Sequence, residues 1–157
     1  MLEIGVLEDG SVFRALADGD SVTVWTGVGA LYYLELLLRV RDATPSESDP
    51  RITVSADGQL AGDTEPHLEW TRASDAPGSW LLRPRFVVLL MDTCCLLCRE
   101  ALIEASAETT DDLVLEESVR ALVTRGAPCP DEDACCLYPD ACAGLTMTPA
   151  CAPPPGG

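Results

Sequence analysis

Cys95-Leu96-Leu97-Cys98-Arg99-Glu100 sets two thiols, a leucine and a carboxylate close together in an otherwise sparse chain. Two chemistries fit that spacing. A C-x-x-C pair works as a redox couple when a helix N-terminus behind it lowers the first thiol's pKa, which would make Cys95 the nucleophile and Cys98 the resolving partner. Laid out as an extended peptide, the same stretch alternates faces, so Leu96, Cys98 and Glu100 project together while Leu97 and Arg99 point away. A leucine and a thiol can then fill small apolar pockets of another protein, and the glutamate can accept hydrogen bonds from amides at a helix N-terminus there. Little else has catalytic character. The single histidine, His67, follows Glu65-Pro66 and is remote in sequence from any serine or cysteine motif, and Thr26-Gly27-Val28-Gly29-Ala30 lacks the lysine of a phosphate loop.

The L-x-C-x-E pattern at 96–100 resembles the peptide by which transforming proteins of papilloma-, adeno- and polyomaviruses capture the retinoblastoma protein. Those proteins usually add an apolar residue soon after the glutamate, a place that Leu102 or Ile103 takes here. They continue with acidic residues or a phosphorylatable hydroxyl. In this chain Glu104, Glu108, Asp111, Asp112, Glu116 and Glu117 follow before the next arginine. Thr109-Thr110 precedes Asp111-Asp112, which suits an acid-directed kinase acting at Thr109.

The resemblance implies a non-enzymatic host-interaction protein. It would hold a retinoblastoma-family pocket through Leu96, Cys98, Glu100 and Leu102, altering cell-cycle control or innate signalling, NF-κB included. It covers little more than the pentapeptide and its flank. The papillomavirus type follows its motif with two C-x-x-C pairs that bind zinc, whereas Cys129, Cys135, Cys136, Cys142 and Cys151 contain no such pair. Neither metal nor cofactor is therefore expected.

Two other readings use the same thiols. An apolar run at 86–91, then Cys95 and Cys98, then a helix, is the order found in thioredoxins, with Ala127-Pro128 in the place of the proline opposite the pair. The eight cysteines could instead cross-link a structural or virion protein.

The formal net charge of -16 opposes nucleic acid and anionic membrane surfaces as partners. All ten basic residues are arginine, and lysine and asparagine are absent. That removes Schiff-base chemistry on a lysine. It also points to a GC-rich genome, and with the compact acidic design and the L-x-C-x-E pattern the chain resembles in style a factor of a GC-rich DNA virus such as a parapoxvirus. The chain opens without a basic, apolar leader, and its longest apolar stretch, 86–98, is broken by Asp92 and falls short of the roughly 18 residues of a membrane span. Host cytoplasm or nucleus is the expected location.

The elements that must position these residues divide in two. Residues 1–91 alternate apolar and polar side chains, and Asp9-Gly10, Asp18-Gly19 and Asp57-Gly58 between such runs signal hairpins. Runs at 2–7, 11–16, 21–26, 51–56, 80–82 and 86–91 read as strands. Leu31 to Arg41 fits either a helix or a strand, and a strand returned by the loop 44–50 to 51–56 is preferred. From Thr93 the spacing turns helical. Cys94, Cys98, Leu102 and Ala105 share one helical face, a second helix covers 113–124, and Gly126 and Pro128 stop it. The expected fold is α+β: one domain over 1–126, with a β-rich body to 91 and two helices after it, then a Cys/Pro-rich, disordered tail over 127–157.

Overall fold

The computed structural model describes residues 1–26, 32–64, 70–89, 96 and 99–124. The alternation in the first part of the chain produces strands β1 (Leu2–Glu8), β2 (Val12–Ala15), β3 (Ser21–Thr26), β4 (Tyr32–Val40) and β5 (Arg51–Ala56). They are followed by β6 (Gln59–Thr64), β7 (Thr71–Arg72), β8 (Trp80–Val88), β9 (Glu100–Glu108) and β10 (Val114–Thr124). Asp57 and Gly58, with φ of 49° and 76°, form the two-residue turn between β5 and β6. Positive φ at both positions gives that turn the twist of the strands it joins. Asp9 and Gly10, also at positive φ, turn the chain between β1 and β2 in a three-residue loop completed by Ser11. Asp18-Gly19 makes no hairpin, because β3 pairs with β4 and β10 rather than with β2.

Strand β4 organises the sheet. One edge bonds to β8, from Tyr33↔Val88 to Val40↔Trp80. The other edge is shared: β1 takes Leu37–Val40 and β3 takes Tyr32–Leu34. From β3 the order continues through a parallel pairing to β10, then antiparallel through β9 and β5 to β6. The bridge Gly62↔Leu89 returns β6 to the end of β8, so the sheet closes on itself. Its interior is apolar: Leu34, Leu36, Leu38, Val40, Ile52, Val54, Leu82 and Ile103 are all fully buried.

The β1–β2 hairpin folds back over the outside of this barrel. There Phe13 joins Leu37, Ala73 and Leu81 in a second, smaller cluster. The ring lies against Gly5, where a Cβ would stand 2.5 Å from the ring and from the Arg14 carbonyl. Arg39, 7% exposed, stacks over the same ring at 4.1 Å and bonds to Glu3 at 2.5 Å. A cation buried this deeply is tolerable only with such partners.

The α+β expectation is overturned, because the described residues contain no helix. The two stretches read as helices, 94–107 and 113–124, contain the long antiparallel hairpin β9–β10. Burial along β9 alternates strictly, with Ala101, Ile103, Ala105 and Ala107 inward. Ala, Leu and Glu favour helices in isolation, but here three of the four inward positions are alanine, β9 is paired on both sides by β5 and β10, and tertiary contact overrides propensity. The loop 44–50 does not return β4 to β5 either. It crosses to the β9–β10 tip through Pro45↔Thr109, and β5 pairs with β6 and β9. The expected tail 127–157, Gly126 and Pro128 lie outside the described residues.

Two outcomes follow for stability. Gly5→Ala is expected to cost about 1–3 kcal/mol by overpacking, read as a lower urea midpoint at unchanged slope. Asp20 accepts hydrogen bonds from the Ala17 amide and from Arg14, and these, the amide first, hold its carboxyl below the ordinary 3.8. A depressed folded-state pKa adds stability that is present above the ordinary value and disappears as pH falls through the folded one. Urea titrations of wild type and Asp20→Asn should therefore converge as pH is lowered from about 6 to about 3; a constant gap would contradict this.

Candidate functional site

Leu96 has no exposed surface and belongs to the main core. Its carbonyl accepts the Arg99 amide at 3.1 Å, which turns the chain immediately before β9. Arg99 is in turn anchored twice. Its carbonyl accepts the Val123 amide at 2.9 Å, and its guanidinium, 9% exposed, pairs with Asp57 on the β5–β6 turn. Glu100 then opens β9 on the outside, its side chain 58% exposed and bonded to Arg120 at 3.2 Å. Leu102, two residues on, lies half-buried on the same outward face, opposite Arg120 in β10 and Ser55 in β5.

Of the four residues expected to bind a partner, the fold thus brings Glu100 and Leu102 to one surface and directs Leu96 into the interior. Cys98 lies outside the described residues, as do Cys94 and Cys95. The helix required by the thioredoxin order is replaced from residue 100 by strand β9, so that source of a lowered Cys95 pKa is missing. The cysteines from 129 onward, His67 and Ala127-Pro128 also fall outside the description. Among the described residues no group of His, Cys, Asp and Glu could hold a metal ion.

Thr109, the expected phosphorylation site, is 3% exposed. Its hydroxyl accepts the Leu113 amide at 3.2 Å and ties the β9–β10 tip, so a phosphate there requires the tip to open. Thr110 is the exposed hydroxyl of the pair.

The outward faces of β5, β9 and β10 form two shallow depressions. One, of about 330 Å³, is lined by Ser55, Asp57, Arg99, Glu100, Leu102 and Arg120. The other, of about 480 Å³, is framed by Arg51, Thr53, Glu104, Glu116, Glu117 and Ser118. Arg51 is engaged by Asp63 at 2.7 Å, which leaves the second depression with an acidic character. Arg99, Arg120 and Asp57 escaped the sequence reading. Only the strand register brings Arg120 beside Glu100, and only the β5–β6 turn brings Asp57 to Arg99. The Asp-Gly turn signal was the one available hint of where Asp57 would stand.

No protein-family model matches this chain, and neither a curated protein nor a solved structure does. What the described residues define is a closed all-β sheet with an apolar interior and an acidic patch on its outer face.

The burial of Leu96 has a measurable consequence. Leu96→Ala should destabilise the fold by about 2–5 kcal/mol in urea unfolding, as for other fully buried leucines. A leucine held at the surface for docking would instead change stability by no more than about 0.5 kcal/mol.

Proposed function

We propose that the protein is a non-enzymatic interaction module that engages a retinoblastoma-family pocket through residues 96–100, in a state where the turn before β9 has opened. The observation that supports this is the display of Glu100, Leu102 and Glu104 along one outward face of a strand that is already extended. That is the backbone conformation a groove-bound L-x-C-x-E peptide needs, with its acidic flank beside it. The missing component is Leu96, which must leave the core.

That requirement sets the affinity. Exposing a fully buried leucine costs roughly 1.5–3 kcal/mol, so the folded chain should bind about 10- to 150-fold more weakly than the free peptide. The Arg99–Asp57 pair acts as the latch, since it fixes the residue between Leu96 and Glu100. Altered cell-cycle control or NF-κB signalling in host cytoplasm or nucleus is the proposed consequence of such capture.

Calorimetric titration of a retinoblastoma pocket domain with the full chain, and separately with a peptide spanning 93–108, tests the proposal. The peptide should bind more tightly by the factor given above, Glu100→Gln should abolish both interactions, and Asp57→Ala should strengthen binding by the full chain alone. A peptide that fails to bind, or full-chain binding that ignores Glu100→Gln, would end this reading.

A further inference from the structure

Strand β10 is paired with β9 from Val114 to Leu122 but, among the described residues, along only part of its other edge. Backbone groups in a strand point alternately to its two sides. On β10 the odd-numbered ones face β9: the carbonyl of Leu113, which precedes the strand, accepts the Thr109 amide, and the Val123 amide donates to the Arg99 carbonyl. The even-numbered ones face away. The Arg120 carbonyl accepts the Gly19 amide at 2.8 Å, and the Leu122 amide donates to the Asp20 carbonyl at 2.7 Å. The Arg120 amide is taken by the Asp18 carboxylate.

The β9–β10 register runs without a shift from Val114 to Leu122, so Val114, Glu116 and Ser118 also aim their backbone groups away from β9. The crossing chain at 18–23 covers that side only from Arg120 onward. Among the described residues no strand pairs with it between Val114 and Ser118. The Ser118 amide there is met by the carboxylate of its neighbour Glu117 at 3.0 Å.

We infer that this open edge, Val114–Ser118, is a docking surface on which an extended, basic segment of another protein adds as a strand. Backbone pairing supplies the attachment and side-chain charge selects the occupant. Glu116 and Glu117 are both exposed at the edge, and Glu104 lies on the next strand, opposite Ser118. Two copies of the chain meeting here would set these carboxylates against each other, and like charges across a strand pair are unfavourable. The chain's own segment beyond Arg125 carries Asp131, Glu132, Asp133 and Asp140 and no basic residue, so its charge has the same sign as the edge. A strand bearing Lys or Arg is complementary. It would also find apolar contact at Leu113 and Val114, which are 61% and 60% exposed. The overall charge of -16 steers such a partner towards the protein. This surface shares no residue with the 96–100 segment.

The probe is a synthetic peptide of about eight residues alternating Lys with Val, long enough for one strand, with a Glu-Val peptide of the same length as control. Fluorescence anisotropy with the full chain should show binding of the Lys peptide only. Charge reversal by Glu116→Lys with Glu117→Lys should weaken it by about tenfold or more.

Two readouts separate strand addition from loose electrostatic adhesion. Amide hydrogen exchange on the wild-type complex should slow at Val114 and Glu116 while Leu115 and Glu117, already bonded to β9, stay unchanged. Glu116→Pro removes an outward-facing donor that no internal pairing uses, as an edge strand allows; the fold should persist and binding should be lost. The inference is overturned if the Lys peptide does not bind, or if it binds without the alternating protection. Equal binding of the Glu peptide, or self-association of the chain through this edge in sedimentation, would overturn it too.

Discussion

The double-sided burial of strand β4 is the constraint on which the rest of the molecule depends. Leu34, Leu36, Leu38 and Val40 fill the barrel interior, while Leu37 and Arg39, on the opposite face, lie under the β1–β2 flap. A strand apolar on alternate positions needs one cover; one whose outward positions include a leucine needs two. The flap meets that need because Gly5, with no Cβ, leaves room for the Phe13 ring. Arg39 is then held between an aromatic face and the carboxylate of Glu3, with Asp75 at 3.7 Å. Its charge makes the flap's position specific in a way that apolar contact alone would not.

Closure of the sheet decides where interaction surfaces can exist. The interior is packed with Leu, Ile and Val, and the two depressions described above lie on the outward side of the sheet. The segment 96–100 crosses that boundary. One end, Leu96, is part of the core, and the other, Glu100, stands in solvent, with Arg99 pinned between them. Any partner that reads both ends must compete with the domain's own packing. The edge of β10 faces no such competition, since its groups already point outward.

Much of the sheet was legible before the fold was known. The runs that became β1, β2, β3 and β5 alternate visibly, and Asp57-Gly58 marked its hairpin because a tight turn needs positive φ there. The run read at 80–82 and the first part of the run read at 86–91, by contrast, fall in the single strand β8. The hairpin β9–β10 was not legible. Its inward residues Ala101, Ala105, Ala107 and Ala121 are too small to dominate a pattern, and Leu102 on the outward face completed a false helical stripe. Part of the candidate site suffered the same way. A carboxylate at Glu100 was evident, but its pairing with Arg120 depends on two strands being in register across twenty residues of sequence.

By itself the sequence determined the local chemistry: which residues carry charge, which turns require Asp-Gly, where apolar alternation begins and ends. It also contained the L-x-C-x-E pattern and the acidic flank behind it. Only the tertiary structure decided that 100–108 would be a strand, that Leu96 and Glu100 would part company across the barrel wall, and that, among the described residues, no strand would pair with the outer edge of β10 between Val114 and Ser118. The reason is that a short segment's preference is worth little against long-range pairing. Small alanines cost nothing to bury between two strands, and once β5 and β10 took those places, β9 had no room to coil.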